Sequence, residues 1–237
     1  MTSRFVVLFA REPGNEARRK GFGGREGADL FAAFAAGWVE AAAGAGAQLV
    51  VSAPPGDCAG WRRSLPRIEL LEQRGRTFGD RLEDSARQAA QLGGIAVLVG
   101  GDVAPCLRTL REAFAALEGG ADAALAPAPD GGVSLVALAE EDLKVLREIV
   151  PGRADVFAHL DRRLRERGRR IAVVAAAIDV DGRRELRSLV RFLPPALREV
   201  ARLALSAVRV SFAPPRTLSL LPERTRPSGL RAPPAAA

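Results

Sequence analysis

Three acidic segments and one basic loop carry the residue types from which phosphate and cation chemistry is built. After the apolar run Ile95 to Gly100 stand Gly101, Asp102, Val103, Ala104 and Pro105. A carboxylate there, beside glycines that allow close backbone approach, is placed to bind Mg²⁺ or Mn²⁺ bridging nucleotide phosphates. The competing reading is that Asp102 caps a helix opened by Pro105. Asp130, Gly131 and Gly132 precede the apolar run Val133 to Leu138. They either form the turn of a hairpin or bring a second carboxylate beside the first. In Ile178-Asp179-Val180-Asp181, acid alternates with apolar, which points Asp179 and Asp181 to one side. The basic loop runs from Ala10 to Gly24 and holds Arg11, the turn pair Pro13 and Gly14, then Arg18, Arg19, Lys20 and three further glycines. Backbone N–H groups and guanidinium forks together suit a diphosphate; the alternative is a charged surface loop.

Other residue types point away from other chemistries. His159, the only histidine, lies on a helical pattern with no nucleophile motif near it, which reads as a surface or core-edge residue. Ser134 has no Gly-x-Ser-x-Gly elbow. Trp38 and Trp61 read as packing residues, and with 5% aromatics and no tyrosine the chain lacks the stacking set of a single-strand nucleic-acid binder. Cys58 and Cys106 are 48 positions apart and write neither a zinc knuckle nor a disulfide framework, which fits a reducing cytoplasm.

The elements that must position these residues follow from hydrophobic periodicity. Arg4–Ala10, Gln48–Ala53, Ile95–Gly100, Ala121–Pro127 and Arg170–Ala176 are short apolar runs of the buried-strand kind. Between them, Phe31, Phe34 and Trp38; Leu82, Ala86 and Ala89; Leu107, Leu110, Phe114 and Leu117; and Phe157, Leu160 and Leu164 step by three or four, one buried face per helix. Strands alternating with helices of this length predict an α/β fold, a mostly parallel sheet with helices on both faces and ligands at the carboxyl ends of its strands.

The 237 residues suffice for one α/β domain and an appendage. The longest apolar run, Leu30 to Val39, falls well short of the roughly 20 residues that span a bilayer. Charge is segregated: residues 183–237 hold eleven arginines against three glutamates, a balance of +8, and the remainder sums to −1. The net charge of +7 therefore belongs to the C-terminal region and gives the body no nucleic-acid footprint. Gly182–Leu193 and Ala196–Val210 read as two Arg-rich amphipathic helices split by Pro194 and Pro195. The expected division is an α/β domain over 1–182, a basic helical appendage over 183–212 and a disordered Pro-rich tail over 213–237. The Arg-rich face suits a solvated surface, a protein contact or a peripheral membrane contact.

The order of these segments is more informative than any one of them. LFAREPG, then Gln73 to Leu82, then VLVGGDVAP, APAPDGGVSLVAL and IDVDGRREL closely resemble a bacterial family of GT-A-fold glycosyltransferase-like proteins over residues 4 to 190. That family is related to the phospholactate and molybdenum-cofactor guanylyltransferases and includes members of the arsenosugar-biosynthesis type. The matching positions are Pro13, Gly14 and Arg19; Gln73, Gly75, Phe78, Gly79 and Arg81; Gly100 and Asp102; Asp130, Gly131, Gly132 and Leu135; and Asp179 and Asp181. The chain departs from the pattern where Ala17 and Arg18 replace the Lys-Thr of the phosphate loop and the lysine stands at Lys20. It departs again at the family's proline, which is Ala104 here or is shifted by one to Pro105, at Val133 and Ser134, in the places of two aromatics, and at Val150 to Arg153, in place of a Trp-Ser-Thr segment.

The resemblance implies the nucleotide-diphospho-sugar transferase fold, a nucleotide in the cleft beside the first strand and a divalent cation; with the cysteine usage, the expected protein is a cytoplasmic, metal-dependent glycosyltransferase using a nucleotide-sugar donor. Its implied alternatives are a guanylyltransferase-like nucleotidyltransferase acting on a phosphorylated small molecule, and a non-catalytic nucleotide-binding or scaffold protein. The expected nucleotide contacts are Ala10, Arg11, Pro13, Gly14, Arg18, Arg19, Lys20, Gln73, Gly75 and Arg81. Asp102 and Asp130 are the expected ligands of Mg²⁺ or Mn²⁺, and Asp130 or Asp181 the base toward a small-molecule acceptor.

Overall fold

Strand β1 (Ser3–Phe9) buries Val6, Val7 and Leu8 in succession, so neither of its faces can meet water, and it lies at the middle of the sheet. The computed structural model describes residues 2–207. Along the chain β1 is followed by α1 (Pro13–Arg19), α2 (Gly24–Gly44), β2 (Gln48–Ala53), α3 (Cys58–Ser64), β3 (Glu69–Glu72), α4 (Phe78–Ala90) and β4 (Gly94–Gly100). Then come α5 (Leu107–Glu118), β5 (Ala123–Pro127), β6 (Val133–Leu138), a 3₁₀ segment over Glu140–Glu148, α6 (Val156–Glu166), β7 (Ile171–Val173), α7 (Arg183–Leu189) and α8 (Pro195–Ser206). The sheet has seven strands in the order β3-β2-β1-β4-β6-β5-β7, parallel except for β6.

One face of the sheet is covered by α2, α3 and α5, whose Trp38, Trp61, Leu110 and Phe114 are fully buried. The other is covered by α4, the 3₁₀ segment and α6 through Leu82, Leu146, Leu160 and Leu164. The two layers are the expected α/β arrangement. A third cluster joins α1, α2, α7 and α8 around Phe22, Phe31, Phe34, Leu186, Leu193 and Leu197, so the apolar faces of the Arg-rich helices are spent on the body. Arg183 closes this contact by donating to the carbonyls of Ala204, Leu205 and Ala207 at the end of α8 while its guanidinium covers Phe22. Residues 208–212 of the basic segment and the expected tail over 213–237 lie outside the described residues.

Among the strands, two depart from the sequence reading. β3 was not expected: with a glutamate at each end of four residues it has no apolar run, and it exists by parallel pairing to β2 as an edge strand. β7 is shorter than Arg170–Ala176 because the ladder ends where the Ala175 N–H donates to the Glu112 side chain, 2.8 Å, instead of to β5.

The antiparallel β6 has a consequence for the site. Because β5 and β6 form a hairpin, their connection through Asp130-Gly131-Gly132 sits at the same sheet edge as the carboxyl ends of the parallel strands. Gly131 is required there: its φ is +88°, and a Cβ would stand 1.9 Å from the Ala154 carbonyl oxygen.

Candidate active site

Four carboxylates and a cluster of cations meet at that edge, each placed by a strand end. The chain leaving β7 returns antiparallel along the Asp102 loop: Ala104 N–H donates to Ile178 O at 2.7 Å and Val180 N–H to Asp102 O at 3.0 Å, with Val103 opposite Asp179. This pairing sets Asp179 and Asp181 beside Asp102. The loop is fixed from below by the buried Trp38, whose indole N–H donates to Val103 O at 2.8 Å. Asp102 is not a helix cap, because α5 starts at Leu107, with Cys106 in the cap position and no side-chain cap bond.

The Ala10–Gly24 segment is mostly helical, where a flexible phosphate loop was expected. The Glu12 side chain accepts from Asn15 N–H at 3.1 Å, Pro13 occupies the first turn, and Arg18 and Arg19 end the helix, so capping and dipole both favour α1. Pro13 is consequently buried under the helix start and Gly14 faces the Glu12 carboxylate. Arg18 is tied to Asn15. None of these three lines the cavities described next.

Two cavities adjoin at the edge. The first, about 550 Å³, is lined by Ala10, Arg11, Glu16, Arg19, Gln73, Gly75, Phe78, Arg81 and Asp102. Arg81 is set by the first turn of α4, where Thr77 and Asp80 cap each other's backbone N–H groups at 3.0 Å; those bonds hold the Asp80 carboxyl below its ordinary range. Its guanidinium makes no ion pair among the described residues. The Gln73 amide donates to Ser52 O at 2.8 Å and is buried, so it shapes the floor. The second cavity, about 390 Å³, holds Lys20, Asp102, Asp130, Asp179 and Asp181. It also holds Val133, Ser134 and Pro151 to Arg153, two of the places where the chain departs from the pattern of the family it resembles. Phe9 and Phe78, edge to face at 5.5 Å, form a wall common to both cavities. A separate cavity of about 350 Å³ at the opposite sheet edge has only Asp122 and Glu140 as ionisable lining groups.

The electrostatics of the site are unbalanced. One oxygen from each of Asp130, Asp179 and Asp181 lies within 4.8 Å of the other two. Burial, then the charges of Asp130, Asp181 and Asp102, push the Asp179 carboxyl up from 3.8 to about 6. Asp102 stands apart from this trio: its Oδ2 is 2.5 Å from Lys20 Nζ, which also pairs with Asp181. The Lys20 side chain is only 6% exposed. Burial pulls its pKa down, but Asp102 and Asp181 outweigh that and hold it above the ordinary lysine value. Burial and then Asp102 raise the Glu16 carboxyl, opposed by Lys20, Arg19 and Arg11. Glu16 sits 3.5 Å from Arg19 and 4.0 Å from Arg11.

Of the residues expected from sequence, Ala10, Arg11, Arg19, Gln73, Gly75 and Arg81 share the first cavity, and Lys20, Asp102, Asp130 and Asp181 the second. Glu16 was missed. Its signal was helical spacing, since Arg19 and Lys20 follow it by three and four positions, and a loop reading conceals that. Asp179 carried the alternation signal but no expected role. His159 pairs with Glu148 at 2.8 Å, away from both cavities, and Ser134 is buried with its hydroxyl directed at Ala126 O, 3.4 Å.

Comparison with known proteins agrees with this architecture. A family model described as "uncharacterized protein conserved in bacteria (DUF2064)" matches residues 38–153. No curated protein matches the chain in sequence. Among solved structures, a candidate nucleotide-diphospho-sugar transferase from Desulfovibrio desulfuricans G20 superimposes with a TM-score of 0.74 at 25% identity, covering 86% of this chain and 97% of that one. The inositol-1-phosphate CTP transferase from T. maritima has a TM-score of 0.54 at 12% identity over 88% and 98% of the two chains. A 4-diphosphocytidyl-2C-methyl-D-erythritol synthase has 0.53 at 10% identity over 86% and 99%. The chain has the fold of nucleotide-diphospho-sugar transferase-like proteins. Among the described residues no helix is long and apolar enough to cross a membrane.

Proposed function

We propose that the protein is a glycosyltransferase that takes a nucleotide-sugar donor across the two adjoining cavities. The observation that carries this reading is their continuity: a cation-lined pocket large enough for a nucleotide opens, past the Phe9–Phe78 wall, onto a carboxylate-lined pocket. The nucleoside would lie against Ala10, Gly75 and Arg81 in the first cavity. Its diphosphate would be met by Arg19, which lines both cavities from the end of α1, and by Lys20 in the second.

The trio Asp130, Asp179 and Asp181 fits a divalent cation, because three hard carboxylate oxygens already stand close together at an open face. Mg²⁺ or Mn²⁺ held there would neutralise charge on the diphosphate as it leaves. Asp130 is the exposed member with no ion pair among the described residues, and its Oδ1 is steadied by Gly132 N–H at 2.8 Å. Where the ion is held by Asp179 and Asp181, Asp130 is the carboxylate placed to accept a proton from an acceptor hydroxyl in the second cavity. Val133 and Ser134 in place of aromatics leave the Phe9–Phe78 wall as the aromatic surface of that cavity.

Phosphorus NMR of the full-length protein with a panel of nucleotide sugars, nucleoside triphosphates and Mg²⁺ tests the proposal. Nucleoside diphosphate released from a nucleotide sugar, and reduced in Arg19→Ala, is the expected result. Pyrophosphate released from a triphosphate would reassign the protein to nucleotidyl transfer. Tight binding without turnover of any donor would make it a non-catalytic nucleotide binder.

A further inference from the structure

Lys20 occupies a place within the carboxylate group that a second cation would contest. Its ammonium is within hydrogen-bond distance of Asp102 and Asp181 at once, and its side chain is more than nine-tenths buried. Asp181 is shared: one of its oxygens belongs to the trio with Asp130 and Asp179, and Oδ1 meets Lys20. A divalent ion entering the trio therefore arrives next to a fixed positive charge and must bind a carboxylate already paired. Asp102, the fourth carboxylate of the cavity, is paired with the same ammonium. Arg19 adds a further cation in the same cavity, while Glu16 faces the group from α1.

We propose that Lys20 is a built-in counter-ion that competes with the divalent cation for Asp181 and withholds Asp102 from it. In the ligand-free protein the cation site is thereby kept weak. An incoming diphosphate, by offering Lys20 new anionic partners, relieves the competition, so cation and nucleotide bind with positive coupling. This second statement rests on the proposed function; the competition itself does not, and it is tested without nucleotide.

The test is Mn²⁺ binding to the full-length, nucleotide-free protein, read by loss of the free-ion electron paramagnetic resonance signal. Lys20→Met is expected to bind Mn²⁺ about tenfold tighter than the unaltered protein, because a like charge beside the ion has been removed. Lys20→Arg, which keeps the charge, is expected to stay within about threefold of the unaltered protein. Asp102→Asn should weaken binding in the Lys20→Met background, where Asp102 is released, and change it little when Lys20 is present. Equal or weaker binding by a folded Lys20→Met protein overturns the proposal, as does loss of Mn²⁺ binding in Asp102→Asn with Lys20 intact.

Should Lys20→Met fail to fold, Lys20→Gln and a measurement on the unaltered protein remain. The chain has only two lysines, Lys20 and the exposed Lys144, so lysine-labelled protein gives two resolvable ammonium signals. Saturating Mg²⁺ should speed water exchange of the Lys20 ammonium protons to the rate of Lys144. An unchanged, slowly exchanging Lys20 signal at saturating Mg²⁺ contradicts displacement. Failure of the phosphorus NMR experiment with success here would dismiss the transferase reading and leave the competition standing.

Discussion

Asp179→Asn should stabilise the fold at alkaline pH and hardly at all in acid, because this carboxyl is ionised against its surroundings. Its pKa is raised from 3.8 to about 6 by burial and by Asp130, Asp181 and Asp102. Between those values the folded state keeps a proton that the unfolded chain has lost, so stability falls as pH rises through the window and stays lower above it. At about 1.4 kcal/mol per pH unit the ceiling is about 3 kcal/mol. Partial exposure of the side chain screens this to about 1–2 kcal/mol. Asparagine is nearly isosteric and neutral, so urea unfolding should find the variant more stable by about 1–2 kcal/mol at pH 8 and by only about 0.5 kcal/mol at pH 4. Taking the difference between the two proteins at each pH removes the opposing contributions of Glu83, Glu112 and Glu148, whose carboxyls are held low. A variant less stable at pH 8, or a difference that does not change with pH, would refute the reasoning that the carboxylates repel one another in the folded protein.

Three further outcomes are expected. Trp38→Phe removes the donor to the Val103 carbonyl beneath the Asp102 loop and should cost about 1–3 kcal/mol in urea unfolding, with weaker nucleotide binding from a loosened loop. Arg183→Ala leaves the last carbonyls of α8 without their guanidinium and exposes Phe22, which should cost about 1–3 kcal/mol; an unchanged midpoint would show that α8 does not depend on this contact. Arg81→Ala, which breaks no ion pair among the described residues, should keep stability within about 0.5 kcal/mol while weakening nucleotide binding about tenfold, as calorimetric titration would measure.

How much of this was legible in the sequence depended on whether a residue's role was local. The central strands and the four long helices announce themselves, because Val6 to Leu8 or the Leu82, Ala86, Ala89 series can satisfy only one environment. The carboxylate positions were legible for the same reason: each follows an apolar run at a strand end. What was hidden depended on contacts distant along the chain. β3 is a strand only because β2 offers it an edge. Asp130-Gly-Gly is the turn of a hairpin, and only the pairing of β5 with β6 puts that turn at the carboxyl ends of the parallel strands, beside Asp102. Lys20 looked like one cation among four in a loop. Its place between Asp102 and Asp181 requires α1 to form and the Asp179 segment to zip along the Asp102 loop, 82 and 161 positions further on. Glu16 escaped notice for the same reason, because its role exists only once α1 is helical.

The central claim, that the cleft between the first strand and the Asp102 loop is a nucleotide site, is tested most directly by a thermal-shift titration of the full-length protein. Nucleoside diphosphates and sugar nucleotides would be compared with and without Mn²⁺. A ligand at 100 times its dissociation constant adds about 2.7 kcal/mol to stability, well within reach of the method. The account predicts stabilisation by at least one nucleotide, larger with Mn²⁺ and reduced in Arg81→Ala. No stabilisation by any nucleotide, with or without the cation, would contradict it.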